Sequence, residues 1–165
     1  MTFMTTLSRV AGLIGAVLLA LTGAMLTYEV VARYFFVKPT IWAAELSQLC
    51  LIWGCMLAMG HVLAIRRHIT VNAVTNLLSA PLQRVFSAGA LVAVIIFCAI
   101  VAWYGFDIFY TSWERGRTTG SILNLPMWIV ELSIPVGFAL LGGQAVVELL
   151  RLRDADAASL GSSHE

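Results

Sequence analysis

Four long apolar stretches, parted by short polar or charged breaks, dominate this chain of 165 residues. The first runs without a formal charge from Val10 to Tyr28, the second from Leu46 to Ile65 and the third from Val85 to Phe106. The fourth runs from about Leu123 to Val147 and is interrupted by Glu131. A helix needs roughly 20 apolar residues to cross a ~30 Å hydrocarbon core. Backbone amides cannot stay bare in lipid, so only helices and closed barrels span a bilayer. These runs lack the period-two alternation of a barrel strand. The sequence therefore predicts an all-α integral membrane protein with four transmembrane helices, over about 10–32, 43–65, 85–108 and 124–149.

Composition agrees and narrows the function. The chain is 60% hydrophobic and 12% charged, with a mean hydropathy of +0.90. A soluble domain carries about 25% charged residues. One membrane domain over 1–153 takes up nearly all of the length, and no soluble catalytic domain fits beside it. A net charge of +1 gives no electrostatic case for nucleic acid. Cys50, Cys55 and Cys98 fall inside predicted spans without metal-site spacing, and read as small apolar packing residues. Arg9 followed by an apolar run has the outline of a signal peptide. That run is longer than the usual ~7–15 residues, so it is read as a retained first span.

Tyrosine and tryptophan gather at membrane interfaces, where the ring stays apolar and the N–H or O–H reaches water. Tyr28, Tyr34 and Trp42 flank the first break, and Trp103, Tyr104, Tyr110, Trp113 and Trp128 flank the third. Trp53 lies elsewhere. Breaks one and three share a side in any four-span topology, so this one-sided belt supports the span count independently of hydropathy. Arg9, Arg66, Arg67, Arg84, Arg151 and Arg153 lie on the other side, against Arg33, Lys38, Arg115 and Arg117 on the belt side. The positive-inside bias points to both termini in the cytoplasm.

The second break has a pattern of its own. Asn72, Thr75, Asn76 and Ser79 fall on one helical face, with Ile69, Val74, Leu77 and Leu78 on the other, and Pro81 follows. A short interfacial amphipathic helix between spans two and three, over about 69–80, fits this spacing. The segment 154–165 is small and polar and reads as a flexible cytoplasmic tail. Span one carries Gly12, Ala16, Ala20 and Ala24 at four-residue intervals, beside Gly15, Gly23 and Thr27. Span two carries Cys50, Gly54 and Ala58 in the same register. Small residues let helices approach closely where lipid offers no hydrophobic drive. Such stripes serve packing within the unit or against another protein, and spacing does not separate the two.

Ionisable groups in spans are costly and mark candidate functional positions. Glu29 and Arg33 are four apart and can pair on one helix. Glu45 opens span two, Asp107 closes span three, and Glu148 sits at the inner end of span four. Glu131 lies about two turns inside span four, and is the one arguably deep acid. A proton relay or ion site would call for several. Bonds to partner helices or to the interface are the favoured use, which makes Arg33, Glu45, Glu29 and Glu131 candidate partner-interface residues with the small stripe of span one. His61 and His68 share a helix at different depths, so they do not form a two-histidine haem site. No hydrolytic cluster or glycine-rich phosphate loop occurs, and the chain is not expected to be an enzyme. A four-span drug/proton exchanger normally needs a buried acid in span one, and none lies between Val10 and Tyr28.

Three stretches bear a family resemblance. They are Arg33-Tyr34-Phe35-Phe36 followed by Trp42-Ala43-Ala44-Glu45-Leu46; Arg66-Arg67-His68-Ile69-Thr70-Val71-Asn72; and Leu125-Pro126-Met127-Trp128 followed by Ile134-Pro135-Val136-Gly137-Phe138. In their order around four spans, over roughly Thr22 to Leu150, the chain resembles the DctQ-like small membrane subunit of tripartite ATP-independent periplasmic (TRAP) transporters. Ala44 stands where the family commonly has an acid, and Asn72 where it commonly has Asp.

The resemblance implies a scaffold that braces a large multi-span permease subunit, which itself moves substrate and sodium. A periplasmic substrate-binding protein delivers the substrate, typically an organic acid such as a C4-dicarboxylate, sialic acid or a keto acid, or a compatible solute. Phospholipid is the remaining expected partner. No cofactor is expected in this chain, with sodium placed in the large subunit. Two other classes stay open: an independent small homo-oligomeric transporter, and a membrane-anchor subunit of a respiratory enzyme.

Overall fold

The computed structural model describes residues 2–38, 40–66, 80–121 and 123–161. Four helices account for nearly all of them: α1 (Thr2–Phe35), α2 (Ile41–Arg66), α3 (Ala80–Arg115) and α4 (Met127–Gly161). Each contains a stretch long and apolar enough to cross a bilayer: Met4–Phe35, Trp42–Ile65, Phe86–Arg115 and Met127–Arg153. At 1.5 Å per residue, even the 26-residue α2 exceeds the ~30 Å core. The four-span, all-helical architecture read from the sequence holds. The proposed interfacial helix, with Ile69, Val74, Leu77 and Leu78, lies outside the described residues.

The helices run beyond the hydropathic boundaries. Helix α1 starts eight residues before Val10, and α4 continues to Gly161, through most of the segment read as a polar tail. Hydropathy marks where lipid begins and ends. A helix satisfies its own backbone and stops where local geometry turns it. The end of α3 shows such a stop. Gly116 takes φ +57°, its amide donates to the Trp113 carbonyl (3.3 Å), and the Arg117 amide donates to the Ser112 carbonyl (3.3 Å). This is the left-handed glycine cap that closes many helices. At the end of α1 the left-handed position is filled by Val37 at φ +49°, a β-branched residue for which it is strained.

The four helices form an open row rather than a closed bundle. Helix α1 packs on α2, α2 on α4, and α4 on α3, with a slight contact between α1 and α4. The spatial order is therefore 1-2-4-3, with α1 and α3 at the edges. Glycines set the close crossings. A Cβ on Gly15 of α1 would lie 2.7 Å from the Gly54 carbonyl oxygen of α2. A Cβ on Gly137 of α4 would lie 2.8 Å from Met56 Cβ of α2, and one on Gly105 of α3 would lie 3.0 Å from Ile134 of α4. Polar bonds pin the same seams. Trp53 Nε1 donates to the Ile129 carbonyl (3.0 Å), and the Thr22 hydroxyl, shared with the Leu18 carbonyl of its own helix (2.9 Å), reaches the Ser47 carbonyl of α2 (3.3 Å).

Candidate partner interface and the cavity at the loop end

Consecutive spans are antiparallel, so the α1–α2 and α3–α4 connections meet at one end of the row and both termini at the other. The loop end holds most of the singled-out polar residues. Glu29 is buried at the last turns of α1. Its Oε1 pairs with Arg33 (2.8 Å), while its Oε2 accepts from the Thr40 amide (3.0 Å) and the Thr40 hydroxyl. Glu29 thus ties the end of α1 to the connection that follows. Arg33 keeps 60% of its side chain exposed and so presents a cation outward.

Glu45, one turn into α2, does not pair with Arg33. Its Oε2 accepts from Ser121 Oγ (2.7 Å), and its Oε1 lies 3.4 Å from the Leu123 amide. Both donors sit on the α3–α4 connection, which is itself folded. Thr118 and Pro126 form an antiparallel bridge, the Thr119 amide donates to the Leu125 carbonyl (2.9 Å), and the Met127 amide donates to the Arg117 carbonyl (2.9 Å). Glu45 holds this folded connection down on α2.

Behind the clamp lies a cavity of about 320 Å³ between the first turns of α2 and α4. Glu45, Gln48, Thr119, Ser121 and Glu131 supply its polar lining. Leu49, Ile52, Leu125 and Val130 are among its apolar walls. Glu131 Oε2 is buried and has no hydrogen-bond partner among the described residues. The same residue has a second deficit. Pro135, four positions on, has no N–H to donate to the Glu131 carbonyl.

The small stripe of span one divides. Gly12 faces α2, where a Cβ would lie 2.5 Å from His61, so its smallness serves packing inside the chain. Ala16, Ala20 and Ala24 are exposed, and a Cβ on neighbouring Gly23 would meet nothing within 4 Å. The termini end of the row has a polar network that sequence reading did not assemble. Ser8 Oγ donates to Gln144 Oε1 (3.0 Å), Gln144 Nε2 donates to Glu148 Oε1 (3.3 Å), and Arg151 pairs with that same oxygen (3.1 Å). The positions 144, 148 and 151 follow one helical face, which was the available signal; the link to Ser8 was not visible.

The loop end also gathers the aromatics. Tyr28 stacks on Trp42 at 6.1 Å, and Trp113 meets Trp128 edge-to-face at 4.9 Å, with Phe109 beside both. Amphipathic rings at one end and four helices long and apolar enough to cross a bilayer, with apolar rows exposed along them, define a multi-pass membrane protein.

Residues 22–155 match the family model described as tripartite ATP-independent periplasmic transporters, DctQ component, and the chain belongs to that family. The family is a transporter component and not an enzyme. Over 101 residues the chain is 31% identical to the C4-dicarboxylate TRAP transporter small permease protein DctQ of Rhodobacter capsulatus. That match covers 61% of this chain and 44% of the relative, so it spans less than half of the relative's length.

Proposed function

We propose that this chain is the small scaffold subunit of a TRAP-type transporter, bracing a large multi-span permease subunit through its exposed helix faces. One observation carries the reading: the helices stand in an open row, so both broad faces and the outer sides of α1 and α3 lack a partner among the described residues. Little of the apolar stretch of α3 is buried among the described residues. A self-contained transporter would enclose a pathway between its helices, whereas a row of this kind suits a brace laid against a larger bundle. The exposed alanines at 16, 20 and 24 offer close approach, and Arg33 offers a cation at the loop end.

The complex would carry out sodium-coupled uptake of an organic acid delivered by a periplasmic binding protein, with sodium and substrate held in the large subunit. C4-dicarboxylates are the first class to test, since the Rhodobacter relative bears that name. The arginine bias and the aromatic loop end support an inner-membrane orientation with both termini cytoplasmic. The test is co-purification. A tagged copy of this chain expressed with the large subunit should bring it down in stoichiometric yield after detergent extraction. Recovery of this chain alone, as a homo-oligomer, would contradict the reading.

A further inference from the structure

The cavity between α2 and α4 holds an acid with a buried oxygen that has no partner among the described residues. Glu45 is accounted for by Ser121 and the Leu123 amide. Glu131 is not: among the described residues its buried Oε2 has no donor, and Pro135 withholds the helical bond to its carbonyl. No lysine, arginine or histidine lines the cavity among the described residues. The partnered cations lie elsewhere, Arg33 on Glu29 and Arg151 on Glu148 at the opposite end. A carboxylate held in a span without a partner is expensive, and such groups are normally paired.

We propose that this cavity receives a lysine or arginine side chain of the large permease subunit, with its charge on Glu131 and its aliphatic stem along the apolar walls. The proposal rests on the scaffold reading above. The shape of the lining favours this occupant. Polar groups sit at the two glutamates, while Leu49, Ile52, Leu125 and Val130 form the sides. A long basic side chain has the same division, a charged head on an apolar stem. At about 320 Å³ the cavity exceeds one such side chain. The surplus has room for waters of ~30 Å³ each, which would bridge the head to Gln48 and Thr119. A divalent cation fits poorly. It calls for about six or more oxygen ligands, and one of the two carboxylates here is already engaged by the loop.

The experiment uses the full complex of both membrane subunits. A photo-reactive residue placed at Gln48, on the cavity wall, is irradiated in native membranes and the product is mapped by mass spectrometry. The expected product is a cross-link to the large subunit within a few residues of a lysine or arginine. Glu131→Gln, which keeps the shape and removes the charge, should then weaken association of the two subunits by at least about tenfold. Exchanging the pair, with Glu131→Lys here and the mapped basic residue changed to Glu, should restore association. Cross-linking to phospholipid alone, or no product, would overturn the proposal while the complex still forms. So would unchanged association in Glu131→Gln. Failure of the wild-type subunits to associate would overturn the scaffold reading, and this proposal with it.

Discussion

Gly15 of α1 and Gly54 of α2 face each other at a crossing so close that a Cβ on either would press on the other's carbonyl oxygen, at 2.7 and 3.1 Å. Without a hydrophobic drive between helices in lipid, such contacts and a few polar bonds are what join α1 to the row. Gly15→Ala therefore forces the helices apart. We expect a loss of about 1–3 kcal/mol, as for overpacking in a tight core. Gly23→Ala, on the open side of the same helix, should be near neutral. Thermal unfolding of the detergent-solubilised protein compares the two, and equal effects would contradict the crossing.

Trp53 joins α2 to α4 through the Ile129 carbonyl. Trp53→Phe removes that donor and part of the ring. Hydrogen bonds between membrane helices are worth about 0.6 kcal/mol on average, so a loss of at least about that size is expected in the same assay.

Glu45 and Ser121 are 76 residues apart in sequence and 2.7 Å apart in space. A double-mutant cycle with Glu45→Ala and Ser121→Ala should show a coupling of about 1 kcal/mol, because the pair is part-buried and one member is charged. Protease should cut the connection between Arg115 and Met127 faster in either single variant than in the wild type. Strict additivity of the two changes would remove the clamp.

A reporter active only in the periplasm, fused after Arg153, should be silent, and one inserted near Lys38 should be active. The motive is the arginine bias across the two sides of the chain. The reverse pattern would invert the proposed orientation, and with it the placement of the Glu131 cavity at the periplasmic end.

The spans were legible in the sequence because lipid imposes one requirement, about twenty apolar residues in a row, and the chain meets it four times. Helix ends were less legible, since they depend on local features such as Gly116 rather than on hydropathy. The order 1-2-4-3 could not be read, because short connections fix antiparallel direction and leave open which non-consecutive helices touch. The same gap explains the site. The Glu29–Arg33 pair lies at helical spacing and was visible, whereas the bond from Thr40 and the clamp between Glu45 and Ser121 arise from tertiary contact. Gly12 and Ala16 looked alike as small residues at one interval; only packing separates the one against His61 from the one left exposed. Trp53 stood outside the aromatic belt, and its bond to Ile129 gives the reason.

On the scaffold reading, this chain braces a transporter it does not itself operate. The direct measurement is sodium-driven uptake of a C4-dicarboxylate or related organic acid into proteoliposomes containing the large subunit and the binding protein, with and without this chain. Uptake is expected when all three proteins are present, and its loss when this chain is left out. Full uptake by the large subunit and binding protein alone would contradict it.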